Sequence, residues 1–173
     1  MKALTFALTL ACLLLVSCSR NPDDVPNPHD SKFETVTLAS DTCVLDTETN
    51  LLWQTKTTEP GLHNAANTYS WHYVQAVNAA GYCGYNDWRM PNKDELYSVS
   101  DIRRASSPPT INTRFFPNAR AAEYWSGNDY SFQYDTAWAW NFELGHDRVD
   151  WKKEAKYIRR VRGTAGELES VKE

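Results

Sequence analysis

Apolar positions fall into three patterns along this chain. The first is a nearly unbroken run from Ala3 to Val16, set behind Lys2. It has the length of a secretory h-region and falls short of the roughly 20 apolar residues that a membrane-spanning helix needs. The second pattern is periodic. Tyr73, Ala76, Val77 and Ala80 recur at helical spacing, with Ser70 placed to cap the segment and Gly81 to end it. After Pro91, Asn92 followed by Glu95 has the form of a capping box, and Leu96, Val99 and Ile102 carry the helical spacing onward. The third pattern consists of short aromatic or β-branched runs at 123–126, 137–144 and 156–161, separated by Gly, Asn and Asp. These predict strands joined by exposed loops. Helices early and antiparallel strands late predict an α+β domain.

The residues closing the first run, Leu15-Val16-Ser17-Cys18, form a lipobox. Residues 1–17 are therefore expected to be a lipoprotein signal peptide, removed so that the mature chain begins at an acylated Cys18 and attaches to the membrane through that lipid. Ser19, not Asp, follows Cys18, which points to the outer membrane of a diderm bacterial cell envelope. An ordinary cleaved signal peptide with Cys18 incidental is the alternative. Residues 18–32 hold Pro22, Pro26 and Pro28 among Asn, Asp and Ser, a composition that reads as a flexible tether. The polar stretch 164–173 reads as a fraying tail. One domain over 33–163 remains.

Charge narrows the partners, because a formal net charge of −4 opposes a broad electrostatic footprint for nucleic acid. Seven Trp and nine Tyr suit a loop-rich domain whose rings serve cores and binding faces alike. With Cys12 removed and Cys18 acylated, Cys43 and Cys83 remain, and an exported chain oxidises such a pair. Closing a loop of about 40 residues would contribute on the order of 4 kcal/mol in the chain-entropy account.

Several separated motifs occur in order: 46–54 (Asp-Thr-Glu-Thr-Asn-Leu-Leu-Trp-Gln), 84–91 (Gly-Tyr-Asn-Asp-Trp-Arg-Met-Pro) with Glu95-Leu96, then Phe116-Pro117, Tyr124-Trp125-Ser126, Ala137-Trp138, Phe142 with Gly145, and 157–163 (Tyr-Ile-Arg-Arg-Val-Arg-Gly). The ordered set resembles the Lcl C-terminal domain family, named for a bacterial collagen-like adhesin. The resemblance implies a C-type-lectin-like fold, distantly similar to formylglycine-generating enzyme domains, and supplies no catalytic residues. Asn50 stands where the family usually has Gly, and Asn tolerates positive φ better than most residues. The chain carries no collagen-like repeat.

Read for chemistry, most motif residues look structural. Trp53, Trp88, Trp125 and Phe142 are large rings suited to the core, while Asp87 and Arg89 are placed to tie loops by charge-assisted hydrogen bonds. Glu95 reads as a cap and not as an acid catalyst. His29, His63, His72 and His146 stand far apart, and neither a metal-ligand spacing nor a nucleophile elbow nor a phosphate loop appears. No catalytic residue, metal or cofactor is expected. Recognition is expected on the loops. The richest is 127–135, where Asn128, Asp129, Tyr130 and Tyr134 mix rings with adaptable hydrogen-bonding groups. Trp138 and Trp140 share one face of the following strand and suit a core or a stacking platform equally. The solvent-facing loop 145–151 adds His146 and Arg148. Lys152, Lys153, Lys156, Arg159, Arg160 and Arg162 form a basic run that reads either as an anion patch or as a solvated edge. The function expected is non-enzymatic, lipid-anchored recognition of a glycan or protein ligand at the envelope. The alternatives are a structural envelope lipoprotein without external ligand and an envelope glycan hydrolase.

Overall fold

The computed structural model of the chain describes residues 27–56, 63–64 and 68–163. Residues 1–17, Cys18, the start of the tether and the tail 164–173 lie outside the described residues. Among the described residues the chain runs through β1 (Phe33–Leu38), β2 (Asp41–Asp46), β3 (Leu51–Gln54), β4 (His63–Asn64), α1 (Thr68–Ala80) and α2 (Lys93–Ser98). It then forms β5 (Glu123–Asp129), β6 (Thr136–Asn141), β7 (His146–Trp151), β8 (Ala155–Lys156) and β9 (Val161–Arg162). The antiparallel sheets are ordered β1-β2-β3-β9, β4-β8 and β5-β6-β7. Two short helices among antiparallel sheets make the domain α+β, as expected. The order of elements differs from the expectation, because four strands, the last of two residues, precede the helices.

Strand β3 lacks the alternation that marks a half-buried strand. All four residues of β3 are buried, since both faces of the sheet are covered. The register sets Val44 opposite Trp53 and Trp53 opposite Val161, so these share one face with Phe33 and Leu51. That face packs on Leu96, Val99, Phe116 and Phe142. On the other face Cys43, Leu45 and Leu52 meet Trp88, and Cys43 is bonded to Cys83. Trp53 and Phe142 are buried in the first of these cores and Trp88 in the second, while Trp125 is buried in a third with Ala137, Ala139 and Ile158. Asn50 adopts φ 59° in the β2–β3 turn, where Asp46 Oδ1 accepts the Glu48 and Thr49 amides.

Helix α1 begins at Thr68, so Ser70 lies within it and not at its cap. Its buried stripe is also rotated from the one expected: Val74 is buried and Tyr73 and Val77 half-buried, while Ala76 and Ala80 are exposed. Gly81, at φ 62°, follows its last residue. The Asn92–Glu95 capping box of α2 is formed, with both bonds at 2.7 Å. Ile102 does not continue this helix. Asp101 caps a separate 3₁₀ turn over Ile102–Arg104, and Ile102 is 66 % exposed.

Later expectations also shift. The run 137–144 breaks after Asn141, whose Oδ1 accepts the amides of Glu143 and Leu144, and Gly145 at φ 76° completes the reversal. The expected solvent loop 145–151 is therefore mostly strand β7. The run 156–161 is no continuous strand; isolated bridges from Tyr157 to Tyr124 and from Val161 to Arg89 hold it in place. Composition placed residues up to 32 in the tether, yet Asn27–Lys32 docks on the domain as a 3₁₀ turn. Arg104 bonds Asp30 at 2.7 Å, Asn112 bonds it at 2.8 Å, and Lys32 reaches Asp46 and the Ser98 carbonyl.

Candidate functional site

Strands β5 and β6 slip register between Trp125 and Asp129 and are joined by the turn 130–135. Gly127 permits this: a Cβ there would meet Met90 Cβ at 3.2 Å, and its amide donates to the Pro91 carbonyl. The turn is braced from within and below. Tyr130 N donates to Thr136 O, Thr136 Oγ1 donates to Gln133 O, and Lys152 N from beyond β7 donates to Asp135 O. Ser126 Oγ holds the Trp138 carbonyl and accepts the Asn128 amide. Asn128 Oδ1 in turn accepts the Lys93 amide at 2.8 Å, fastening the turn to the start of α2.

On this base stands a ladder of rings. Trp138, half-buried, meets Tyr130 edge-on at 5.3 Å, and Tyr130 meets Phe132 at 5.5 Å. Phe132 is 87 % and Tyr134 95 % exposed. The Lys93 ammonium sits 4.9 Å above the Trp138 ring and 3.2 Å from Asp147. Beside the ladder opens a cleft of about 350 Å³, bordered by Asp129, Tyr130, Gln133, Tyr134, Thr136 and Lys152 among others. Asp129 and Lys152 pair across it at 2.6 Å. The cleft thus offers one apolar wall and one rim of paired charges. Such a surface can stack a ring or sugar face and hydrogen-bond its polar edge.

Of the residues singled out in the sequence, the structure brings together Asn128, Asp129, Tyr130, Tyr134 and Trp138. It separates the rest. Trp140 shares the β6 face of Trp138 but is buried under Tyr97, whose ring stands 5.5 Å away, so it belongs to the core. Arg148 lies opposite Ala139 on the other face of the sheet, bonded to Glu123 at 2.8 Å. His146 is exposed at the far end of the β6–β7 hairpin, opposite Asn141, with Nδ1 donating to the Asp147 carbonyl. The sequence reading missed Lys93, Asp147 and Lys152 as members of the site. Lys93 carried a signal, since it directly follows the cap residue Asn92 at a helix start; Asp147 is joined to the site by strand register, and Lys152 by its bonds to Asp135 and Asp129.

The basic run is not a patch. Arg159 and Arg160 are buried, and Lys156 is 5 % exposed. Arg159 donates to the Gln54 carbonyl and stacks on Phe116, while Arg160 bonds Gln54 Oε1 and lies 3.7 Å from the Tyr73 ring centre. Arg162 clasps Asp87 with two bonds, and Arg89 grips Glu95 likewise, so the pair flanking Trp88 does tie loops. Lys156 bonds Glu123 and Asp150. Burial raises the carboxyls of Glu123 and Asp150, but Lys156 and Arg148 outweigh it and hold both below their ordinary values. The ties from Lys156 lie on the face of the β5-β6-β7 sheet opposite the ring ladder, and the others hold loops and core. Among the described residues no group of three His, Cys, Asp or Glu is placed to hold a metal ion.

A family model described as the Lcl C-terminal domain matches residues 42–162. No curated protein matches the chain.

Proposed function

The chain belongs to the Lcl C-terminal domain family, and we propose that it serves as a non-enzymatic, lipid-anchored recognition domain of the bacterial cell envelope, taking a glycan or protein ligand on the ring ladder and cleft of the 130–135 turn. The observation that carries this reading is the exposure of Phe132 and Tyr134 on a turn braced from β5, β6 and α2. Rings that only filled a core would be covered, and rings on an unbraced loop would lose entropy on binding. The lipid anchor rests on the lipobox ending at Cys18, and the outer membrane on Ser19 after it. The C-type-lectin-like character belongs to the same proposal. It is supported by an α+β domain with a disulfide between early elements and long connections, which presents recognition groups on turns.

The test is a binding screen of the oxidised chain from Ser19 onward against glycans and envelope extracts. Trp138→Ala and Tyr130→Ala are expected to weaken saturable binding about tenfold each, from loss of roughly 1–1.5 kcal/mol of ring contact. Binding that survives both substitutions in a folded variant overturns the site, and absence of any binding favours the structural role.

A further inference from the structure

Among the described residues six large apolar side chains are exposed, and they stand at the two ends of β6. Phe132, Tyr134 and Trp151 lie at the Thr136 end, where the candidate site is. Tyr97, Ile102 and Leu144 lie at the Asn141 end, 64 %, 66 % and 54 % exposed. The second group is gathered around the β6–β7 turn. Ile102 packs on the β6–β7 turn, since a Cβ on Gly145 would stand 3.5 Å from its Cγ1, and Leu144 is the residue before. Tyr97 stands over Trp140, two residues before that turn begins.

The chain joins the domain at this same end. Asn27 Nδ2 donates to Asp101 at 2.5 Å and Asn27 Oδ1 accepts from Arg103 at 2.5 Å, so the anchor point brackets Ile102 on both sides. Cys18 lies nine residues earlier. Fully extended, that stretch spans at most about 30 Å, less than the roughly 36 Å that a domain of about 130 residues measures across. An acyl chain on Cys18 therefore keeps the membrane surface within reach of the Asn27 end. Three apolar side chains bind lipid weakly alone, but tethering raises their effective concentration at the surface into the millimolar range. Arg103 is already paired with Asp101, so the contact would be apolar and insensitive to salt.

We propose that Tyr97, Ile102 and Leu144 rest on the lipid surface that holds the Cys18 acyl chains, so that the 130–135 turn faces away from the membrane. The proposal rests on the lipid-anchor reading above. The two ends of β6 are about 17 Å apart at the ordinary strand rise, enough to lift the site clear of the headgroups.

The experiment takes the mature lipoprotein from membranes, with its Cys18 mass measured, into nanodiscs containing a nitroxide-headgroup lipid. Methyl signals of Ile102 and Leu144 are expected to broaden at least threefold more than ring signals of Phe132 and Tyr134, with the contrast unchanged in 0.5 M salt (about a 4 Å screening length). Ile102→Asp with Leu144→Asp, both at exposed positions, should abolish the excess broadening of the remaining Tyr97 ring at that end, while Phe132→Asp with Tyr134→Asp should leave the Ile102 and Leu144 methyls broadened relative to the Trp151 ring at the other end. Uniform broadening, or broadening centred on the 130–135 turn, overturns the docking while acyl mass on Cys18 keeps the anchor reading. A mature chain without acyl mass on Cys18 overturns both.

Discussion

Two sets of aromatic rings do opposite work in this domain. Trp53, Trp125, Phe116 and Phe142 are buried among strands and loops on every side, whereas Tyr130, Phe132 and Tyr134 stand on one turn with their outer faces in solvent. Trp138 lies between the sets, packed on Tyr130 and covered by Lys93. The residue types are nearly the same. What differs is the backbone beneath them: the buried rings come from positions closed by two layers, and the exposed rings from a turn held by hydrogen bonds to backbone and to α2. Apolar burial supplies stability in the first set, and rigidity without burial leaves the second set available for contact.

The largest effect that would break this contrast is in the core. Trp53→Ala should cost about 3–5 kcal/mol in urea unfolding, while Phe132→Ala and Tyr134→Ala should each stay within about 0.5 kcal/mol. Equal losses in both sets would show that the exposed rings are structural.

A smaller effect has the opposite sign. Burial, with Arg159 and Arg160 adding, pushes the Lys56 ammonium down to about 6 from 10.5, and its Nζ has no hydrogen-bond partner. The unfolded chain then binds more protons between about pH 6 and 10.5, so stability rises with pH across that window, and the cost is fully present below 6. Lys56→Met is expected to stabilise the domain by about 1–2 kcal/mol at pH 7 and to flatten that slope. A destabilised Met variant would mean that the buried amine contributes something its methyl-capped counterpart lacks.

The smallest effect concerns the docked segment at Asn27. Burial raises the Asp101 carboxyl, but hydrogen bonds from Arg103 and Asn27 reverse this and hold it at about 2. Its stabilisation is complete above about pH 4 and is lost as pH falls through about 2. Proteolysis by an acid-active protease should cut near residues 27–32 increasingly over that window while the core stays protected, and Asp101→Asn should reduce the pH dependence to the part carried by Asp30, whose carboxyl, against its burial, Arg104 and Asn112 also hold below its ordinary value. Cutting that tracks core unfolding would sink the assignment.

Much of this was legible in the sequence where the signal is local. The capping box at Asn92 and Glu95, the positive φ at Asn50, the disulfide left by counting cysteines and the loop-tying roles of Asp87 and Arg89 each rest on neighbouring residues or on chemistry that admits one partner. The α+β class followed from mixed periodicities. The candidate site was legible as a composition, and five of its eight named residues are brought to one surface.

What failed has a common cause. Strand β3 showed no alternation because both its faces are covered, Trp140 turned inward because α2 lies over it, Arg148 faced away because register set it opposite Ala139, and Arg159 and Arg160 were buried because carbonyls and rings receive them. By itself the sequence determined the caps, the turns, the disulfide and the kinds of residue a recognition loop would carry. Tertiary structure alone decided which rings are covered and which charges are paired, because burial and pairing depend on residues brought together from distant parts of the chain.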